Sequence, residues 1–299
     1  MTDIILHHYD TSPYSEKVRL GLGLKGLAWA SVELPVIMPK PNLTALTGGY
    51  RKTPVLQIGA DIYCDSQLIM RELERRHPSP SFYPAGRGAA DALAWWAEKT
   101  MFLPAVSIAF AKRPDALPEG FLEDRAKFSG RNIDPVAMLA AVPHLLDQLR
   151  AHFDWLDQTL ADRRSFLQGA AAGLADLAAY HPIWFLRQNF GSTAAPLDDF
   201  PRLLSWAERV AAIGHGSRSQ MSAQQALDDR EFCTFARAHA REENPESGAT
   251  PPAKLNVGRV TRRFAALLGA QNRVRMAIPT EFRGFKPQHC RVRPEKRPL

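Results

Sequence analysis

The spacing of apolar positions divides the chain. Over residues 1–76 short apolar runs alternate with amphipathic stretches and turn residues. Ile4-Ile5-Leu6 predicts a buried strand. Residues 13–25 read as a helix, with Ser12 as N-cap, Pro13 at the first helical position and Gly26 past its end. A second strand is expected over 29–34. Residues 55–58 and 62–64, joined by Gly59-Ala60-Asp61, predict an antiparallel hairpin. Asp65 then starts a helix to about Arg76, with Leu68, Ile69 and Leu73 on one side. This β-α-β, loop, β-β-α order predicts a small mixed sheet covered by helices.

Residues 77–88, rich in Pro, Ser and Gly, read as a linker. From 89 to 240 the pattern is helical. Leu146, Leu149, Phe153, Leu156 and Leu160 form one apolar stripe. Another helix follows Pro201, carrying Leu203, Leu204, Ala207 and Val210. Ser222-Ala-Gln-Gln225 is a capping box that opens a helix toward His239. The pattern therefore divides the chain into a mixed α/β domain (1–76), a linker (77–88), an all-α domain (89–240) and an appendage (241–299). The appendage holds one amphipathic helix candidate, residues 257–269, with Arg259, Arg262 and Arg263 opposite its apolar face; it either packs, docks on a partner or stays disordered.

Charge sharpens that division. The 299 residues carry a net charge of +7, but residues 241–299 alone hold 13 Lys and Arg against 5 Asp and Glu. The first 240 residues are near neutral, so the basic character belongs to the appendage rather than to a nucleic-acid-binding body. The three cysteines, Cys64, Cys233 and Cys290, are too scattered for a disulfide framework or a Cys-rich zinc site, and they fit a reducing, cytoplasmic setting. No leader segment is expected at the start, and the longest apolar stretch, residues 101–111, falls well short of the ~18 residues of a membrane span. His7 and His8, as neighbours on a strand, face opposite ways and are poorly placed to share a metal; no metal site is expected.

Four features coincide in order. They are Ser12-Pro13-Tyr14-Ser15-Glu16-Lys17-Val18-Arg19 at a strand-to-helix turn, Thr53-Pro54-Val55 before a strand, Asp65-Ser66 opening a helix after a hairpin, and Gly173-Leu174-Ala175-Asp176 at a helix start in an all-helical half. Over residues 3–235 the chain resembles the cytosolic glutathione transferase family. The resemblance implies a thioredoxin-like N-terminal domain and an all-α C-terminal domain. It implies glutathione as co-substrate, a small hydrophobic electrophile as acceptor, a detoxifying reaction and a homodimer. The appendage has no counterpart in a typical member.

Ser12-Pro13-Tyr14-Ser15 looks like the glutaredoxin motif Cys-Pro-Tyr-Cys with serine for both cysteines. Lacking sulfur, this turn cannot form a mixed disulfide. A serine hydroxyl at a helix N-terminus can instead donate to a bound thiolate. Lowering a thiol from about 8.5 by two units needs roughly 2.7 kcal/mol, the order of one charge-assisted hydrogen bond plus a helix terminus. Ser12 is thus the catalytic candidate, with plain capping of its own helix as the alternative and Tyr9 and Thr11 as the other hydroxyls within reach. The resemblance places a cis bond at Pro54 and main-chain pairing with the cysteinyl part of glutathione at Val55. It assigns the γ-glutamyl end to Asp65 and Ser66, and the glycyl carboxylate to Lys40 or Lys52. Trp95, Trp96, Phe102, Tyr180, Trp184 and Phe185 are candidates for the electrophile pocket, most of them also plausible core. Family members often carry Ser or Thr where Gly173 stands. The rival reading keeps the fold for binding without turnover, with the basic appendage touching a partner, nucleic acid or an anionic membrane.

Overall fold

The computed structural model describes residues 4–228 apart from 60, 131 and 192–196. Strand β1 (Ile4–His8), helix α1 (Pro13–Leu24) and strand β2 (Ala28–Glu33) come first, as the apolar pattern predicts. A helix the pattern does not mark, α2 (Pro41–Thr47), follows. It is under two turns long, too short to show a period, and it buries Leu43 and Leu46. The hairpin β3 (Val55–Ile58) and β4 (Asp61–Cys64) and helix α3 (Ser66–Arg76) complete the first half. β1 is parallel to β2 and antiparallel to β3, which pairs antiparallel with β4. Alternation splits β1 between two layers: Ile4 and Leu6 pack with Val18, Leu20, Ile69 and Leu73, while Ile5 joins Ala30 and Val32 on the other face.

The second half is built of α4 (Arg87–Trp96), α5 (Phe102–Lys112), α6 (Phe121–Ser129), α7 (Pro135–Thr159), α8 (Leu174–Phe190) and α9 (Pro201–Ala211). A wide π-type turn, Ala97–Met101, joins α4 to α5. Pro104 begins just after it; proline lacks the N–H for the previous turn and crowds the carbonyl four residues back, so the helix widens there. Within the linker, Phe82 is fully buried, and its carbonyl accepts the Leu174 N–H at 2.8 Å. A Cβ at Gly173 would lie 2.7 Å from that carbonyl oxygen. The missing cap hydroxyl thus reflects a chain crossing that has no room for a side chain. Asp176 still closes the helix start, accepting from the N–H of Gly173 at 3.0 Å and of Leu167 at 2.8 Å, and from Trp206 Nε1 at 2.8 Å.

The stretch expected to be helical throughout contains a strand. After α9 the chain returns to the sheet as β5 (Ser217–Gln220), parallel to β2, followed by the short helix α10 (Ala223–Leu227). The sheet order is β4-β3-β1-β2-β5. Ser217-Arg-Ser-Gln has no apolar alternation, so tertiary contacts hold it in place. Trp29 Nε1 donates to the His215 carbonyl at 2.7 Å, Gln57 Nε2 donates to the Ala226 carbonyl at 3.0 Å, and Arg218 pairs with Asp10 at 2.8 Å. The rest of the helix expected toward His239, the helix candidate at 257–269 and the basic appendage lie outside the described residues.

Helix α1 is enclosed between the sheet and α8, which explains its buried charges. Each has a dedicated partner. Lys17 pairs with Glu98 of the π-type turn, Glu16 accepts from Arg19 at 2.6 Å and meets His215 at 3.0 Å, and Arg19 also donates to the Asp10 carbonyl at 2.9 Å. The run Glu16-Lys17-Val18-Arg19 therefore ties together the helical half, the returning segment and the loop after β1.

Candidate functional site

One row of the sheet register gathers the motifs. His7 stands opposite Val55, and Val55 opposite Cys64. β1 ends one residue beyond this row, β4 ends at it, and β3 begins at it. The loop holding Tyr9 and Ser12, the Thr53–Pro54 bond and the Asp65-Ser66 pair therefore leave three adjacent strands at the same sheet edge, across about 10 Å at ~4.8 Å per strand. β2, parallel to β1, ends at that edge too and leads to Lys40. An extended tripeptide spans about 10 Å.

Ser12 is the N-cap of α1, and its Oγ accepts the Ser15 N–H at 3.3 Å. Capping uses an oxygen lone pair and leaves the hydroxyl proton available to a ligand. The residue is 2 % exposed. Ser15 Oγ is buried beside it with no hydrogen-bond partner among the described residues. Thr11 is exposed.

The Thr53–Pro54 bond is cis. Val55 is fully buried and sits inside the ladder, with strands on both sides. This differs from the role the resemblance gives it: the main chain of Val55 belongs to the sheet, and the half-buried residue ahead of the cis bond, outside the strand, is Thr53. Lys40 reaches that point. Its Nζ lies 3.3 Å from Thr53 Oγ1 and 5.3 Å from the centre of the Tyr9 ring. Burial first, and the Arg125 and Arg51 charges after it, bring the Lys40 ammonium down to about 8, with Asp124 acting the other way. Lys52, next to Thr53 in the chain, is exposed, and its ammonium rests over the Phe128 ring at 5.3 Å. Of the two lysines, Lys40 is the one with its ammonium at 3.3 Å from the Thr53 hydroxyl.

Asp65 holds a positive φ of 81°, a conformation rare outside glycine. Such geometry at a non-glycine residue costs on the order of 1–3 kcal/mol and concentrates at functional positions. Its Oδ1 accepts the Gln67 N–H at 2.8 Å, and Ser66 beside it is buried. Gln67 Nε2 in turn donates to Glu98 at 2.9 Å, and Glu98 pairs with the fully buried Lys17. Burial works to raise the Glu98 carboxyl, yet Lys17, His181 and the bonds from Lys17 and Gln67 hold it below the ordinary range. Tyr14 sits over His181, ring centres 5.0 Å apart. Burial, then the Glu98 and Asp65 charges, push its hydroxyl above the ordinary phenol range.

Helix α6 closes the opposite side with residues the sequence reading does not single out. Asp124 Oδ1 and Oδ2 accept from Arg51 Nη2 at 2.6 and 2.7 Å, and Oδ1 also accepts the Met38 N–H at 3.3 Å. Arg125 Nη2 donates to the Val36 carbonyl at 3.1 Å and lies 3.5 Å from Tyr9 Oη. Two charged residues in a surface-patterned helix carry no signal of this in one sequence. Of the pocket aromatics, Phe185 meets Phe110 at 6.2 Å, Phe110 meets Phe121 at 5.0 Å, and Phe102 meets Tyr14 at 4.6 Å. Tyr180 packs on Trp206 and Trp184 lies against Arg19. Trp95 is exposed on α4, and Trp96 packs with His152 and Trp155.

His7 and His8 face opposite sides, bonding Gln57 at 2.9 Å and Ser31 at 2.8 Å. Among the described residues no group of three or more His, Cys, Asp or Glu is placed to hold a metal ion, and no helix is long and apolar enough to cross a membrane.

Comparison with known proteins agrees with this fold. The family model of the glutathione S-transferase N-terminal domain matches residues 6–81, and that of a domain of unknown function, DUF7962, matches 105–218. A GST-like protein from Pseudomonas syringae has a similar crystal structure, with 41% identity, a TM-score of 0.62, and coverage of 86% of this chain and 78% of that one. FtsZ-localized protein A of Caulobacter vibrioides is 26% identical over 208 residues, covering 67% of this chain and 83% of that protein. Glutathione S-transferase U4 of Arabidopsis thaliana is 20% identical over 221 residues, covering 71% and 85%. With its α/β sheet domain, its largely helical second half and this similarity, the chain belongs to the glutathione S-transferase family.

Proposed function

We propose that this protein is a glutathione transferase that adds the glutathione thiolate to a small, largely hydrophobic electrophile. The observation that carries the reading is the register row His7–Val55–Cys64, which brings Ser12, Pro54 and Asp65 to one sheet edge at the span of a tripeptide. Asp65 receives the γ-glutamyl ammonium, while Ser66 and the start of α3 receive its carboxylate. The cysteinyl part runs beside Thr53 and Pro54, and Lys40 meets the glycyl carboxylate. Ser12, donating its hydroxyl proton, holds the sulfur as thiolate. The exposed apolar side chains of Trp95, Leu103 and Trp155 support assembly as a homodimer, which sedimentation velocity measures directly.

A second reading, binding without turnover, draws on the Caulobacter relative, which is named for its localisation with FtsZ and not for a reaction. Calorimetric titration of glutathione into the full chain, with Asp65→Ala as control, tests the site that both readings can share, and turnover of glutathione with an aryl halide then separates them. Saturable binding lost in the variant supports the transferase site. No binding up to millimolar glutathione refutes it and directs attention to residues 241–299.

A further inference from the structure

Among the described residues, the charges around Tyr9 do not balance. Lys40, Arg51 and Arg125 converge there, and the acidic side chain paired with them is that of Asp124. Lys52 adds a further positive charge at the rim, over the same Phe128 ring as Arg51. The Asp124 carboxylate is shared: both oxygens go to Arg51, and Arg125 Nη1 reaches Oδ2 at 3.3 Å. Arg51 Nε is buried without a partner among the described residues. One unit of this excess is assigned above, to the glycyl carboxylate at Lys40. At least one more remains, in a half-buried place where an unmatched charge is costly.

The position of that remaining charge is specific. Arg125 lies over the Phe121 ring at 4.5 Å, and Phe121 continues the line Phe110–Phe185 on the helical side. On the other side Arg125 touches Tyr9, whose main-chain carbonyl accepts the Ser12 N–H at 3.1 Å. A group bound against these aromatic rings and within reach of a sulfur at Ser12 would have the guanidinium at its edge. Arginine presents several N–H donors in a fixed plane, suited to a carboxylate.

We propose that the electrophile is an aromatic or unsaturated organic acid, whose carboxylate is received by Arg125 with the Tyr9 hydroxyl while its apolar part lies against Phe121 and Phe110. This rests on the glutathione-transferase reading and names the substrate class of the same site. Arg125 is a specificity-determining residue here and takes no part in the bond changes. With a halonitrobenzoate as probe, the thiolate sulfur forms a bond to the ring carbon bearing the halide, the carbon–halogen bond breaks, and the halide leaves with the electron pair. The thiol proton passes to solvent.

The test does not depend on turnover. The product conjugate S-(4-carboxy-2-nitrophenyl)glutathione and its aryl methyl ester are prepared chemically and titrated, alongside glutathione, into the full-length protein. The expected result is at least tenfold tighter binding of the acid than of the ester. In Arg125→Met that preference should vanish, with glutathione and the ester unchanged within about twofold; in Arg125→Lys part of it should survive, which separates charge recognition from loss of folding. Equal binding of acid and ester to the wild type overturns the inference while leaving the glutathione site intact. Equal weakening of acid, ester and glutathione in Arg125→Met also overturns it. Failure of glutathione and both conjugates to bind overturns the transferase reading itself, and this inference with it.

Discussion

Replacing Lys17 by Met tests how the two halves are joined. The substitution keeps the volume and removes the charge. Lys17 is fully buried, and after it is gone Glu98 retains only the Gln67 bond at 2.9 Å. Two opposite unit charges at ~3 Å interact by about 5 kcal/mol at an effective dielectric near 20. The variant can escape that loss by protonating Glu98. From an ordinary value of 4.5, this costs about 3.4 kcal/mol at pH 7 and about 0.7 kcal/mol at pH 5. A penalty near 3 kcal/mol at pH 7 is therefore expected, in line with the ~3–5 kcal/mol seen when one partner of a buried pair is removed. The pH trend follows from two opposite displacements. In the wild type the carboxyl is held low when folded, so its contribution is present above the unfolded value and is lost on acidification. In the variant burial raises it, so the protonated form adds stability at low pH that disappears as pH rises through the folded value. Both effects narrow the gap in acid. Urea unfolding followed by tryptophan fluorescence at pH 7 and pH 5 measures it. With a slope of about 3 kcal/mol/M the midpoint should fall by about 1 M at pH 7 and by about 0.2 M at pH 5. Lys17→Met combined with Glu98→Leu should recover most of the loss. A shift of equal size at both pH values, or a double variant no better than the single, would refute the argument.

Three further outcomes are expected. Ser12→Ala should cost about 1 kcal/mol of stability through the lost cap and slow conjugation, whereas Ser12→Gly should slow it as much with only a few tenths of a kcal/mol lost; normal turnover in either removes the hydroxyl from the chemistry. Gly173→Ala should destabilise by roughly 1–3 kcal/mol, because its Cβ meets the Phe82 carbonyl oxygen at 2.7 Å; an unchanged melting temperature would show that the linker yields. Because the Lys40 ammonium titrates near 8, S-methylglutathione should bind about fourfold more weakly at pH 8.5 than at pH 7, and Lys40→Met should abolish that dependence; a flat profile in the wild type would release Lys40 from the glycyl end.

Most of the first half is legible in the sequence because local signals agree there. Ser12-Pro13 starts α1, alternation marks β1, and a glycine turn marks the hairpin. What escapes reading is held by distant contacts. α2 is too short for a period, and β5 has no strand propensity and depends on Leu27, Trp29 and Asp10 for its place. At the candidate site, Asp65 and Pro54 stand out in the sequence through the family resemblance, whereas the positive φ of Asp65 is seen only in the structure. Arg125, Asp124 and Arg51 do not stand out, since charged residues on a short helix look alike whether they face solvent or a ligand. The sequence marks Val55 as a strand residue, but that it is paired on both sides, with His7 and with Cys64, emerges only from the register.

The return of β5 to the sheet changes what counts as a self-sufficient part of this molecule. The region matched by the N-terminal family model, residues 6–81, would end its sheet at β2. In the intact chain that border is occupied by a strand encoded some 190 residues later, aligned so that Ala28 faces Ser217 and Ser31 faces Gln220. The two halves are therefore not modules in the sense of pieces that could be exchanged or shuffled. A cut at the linker would leave an open strand able to recruit foreign chains. The helical half thus has a second task besides its own packing: its path must deliver Ser217–Gln220 to the border of a sheet that the first half leaves open.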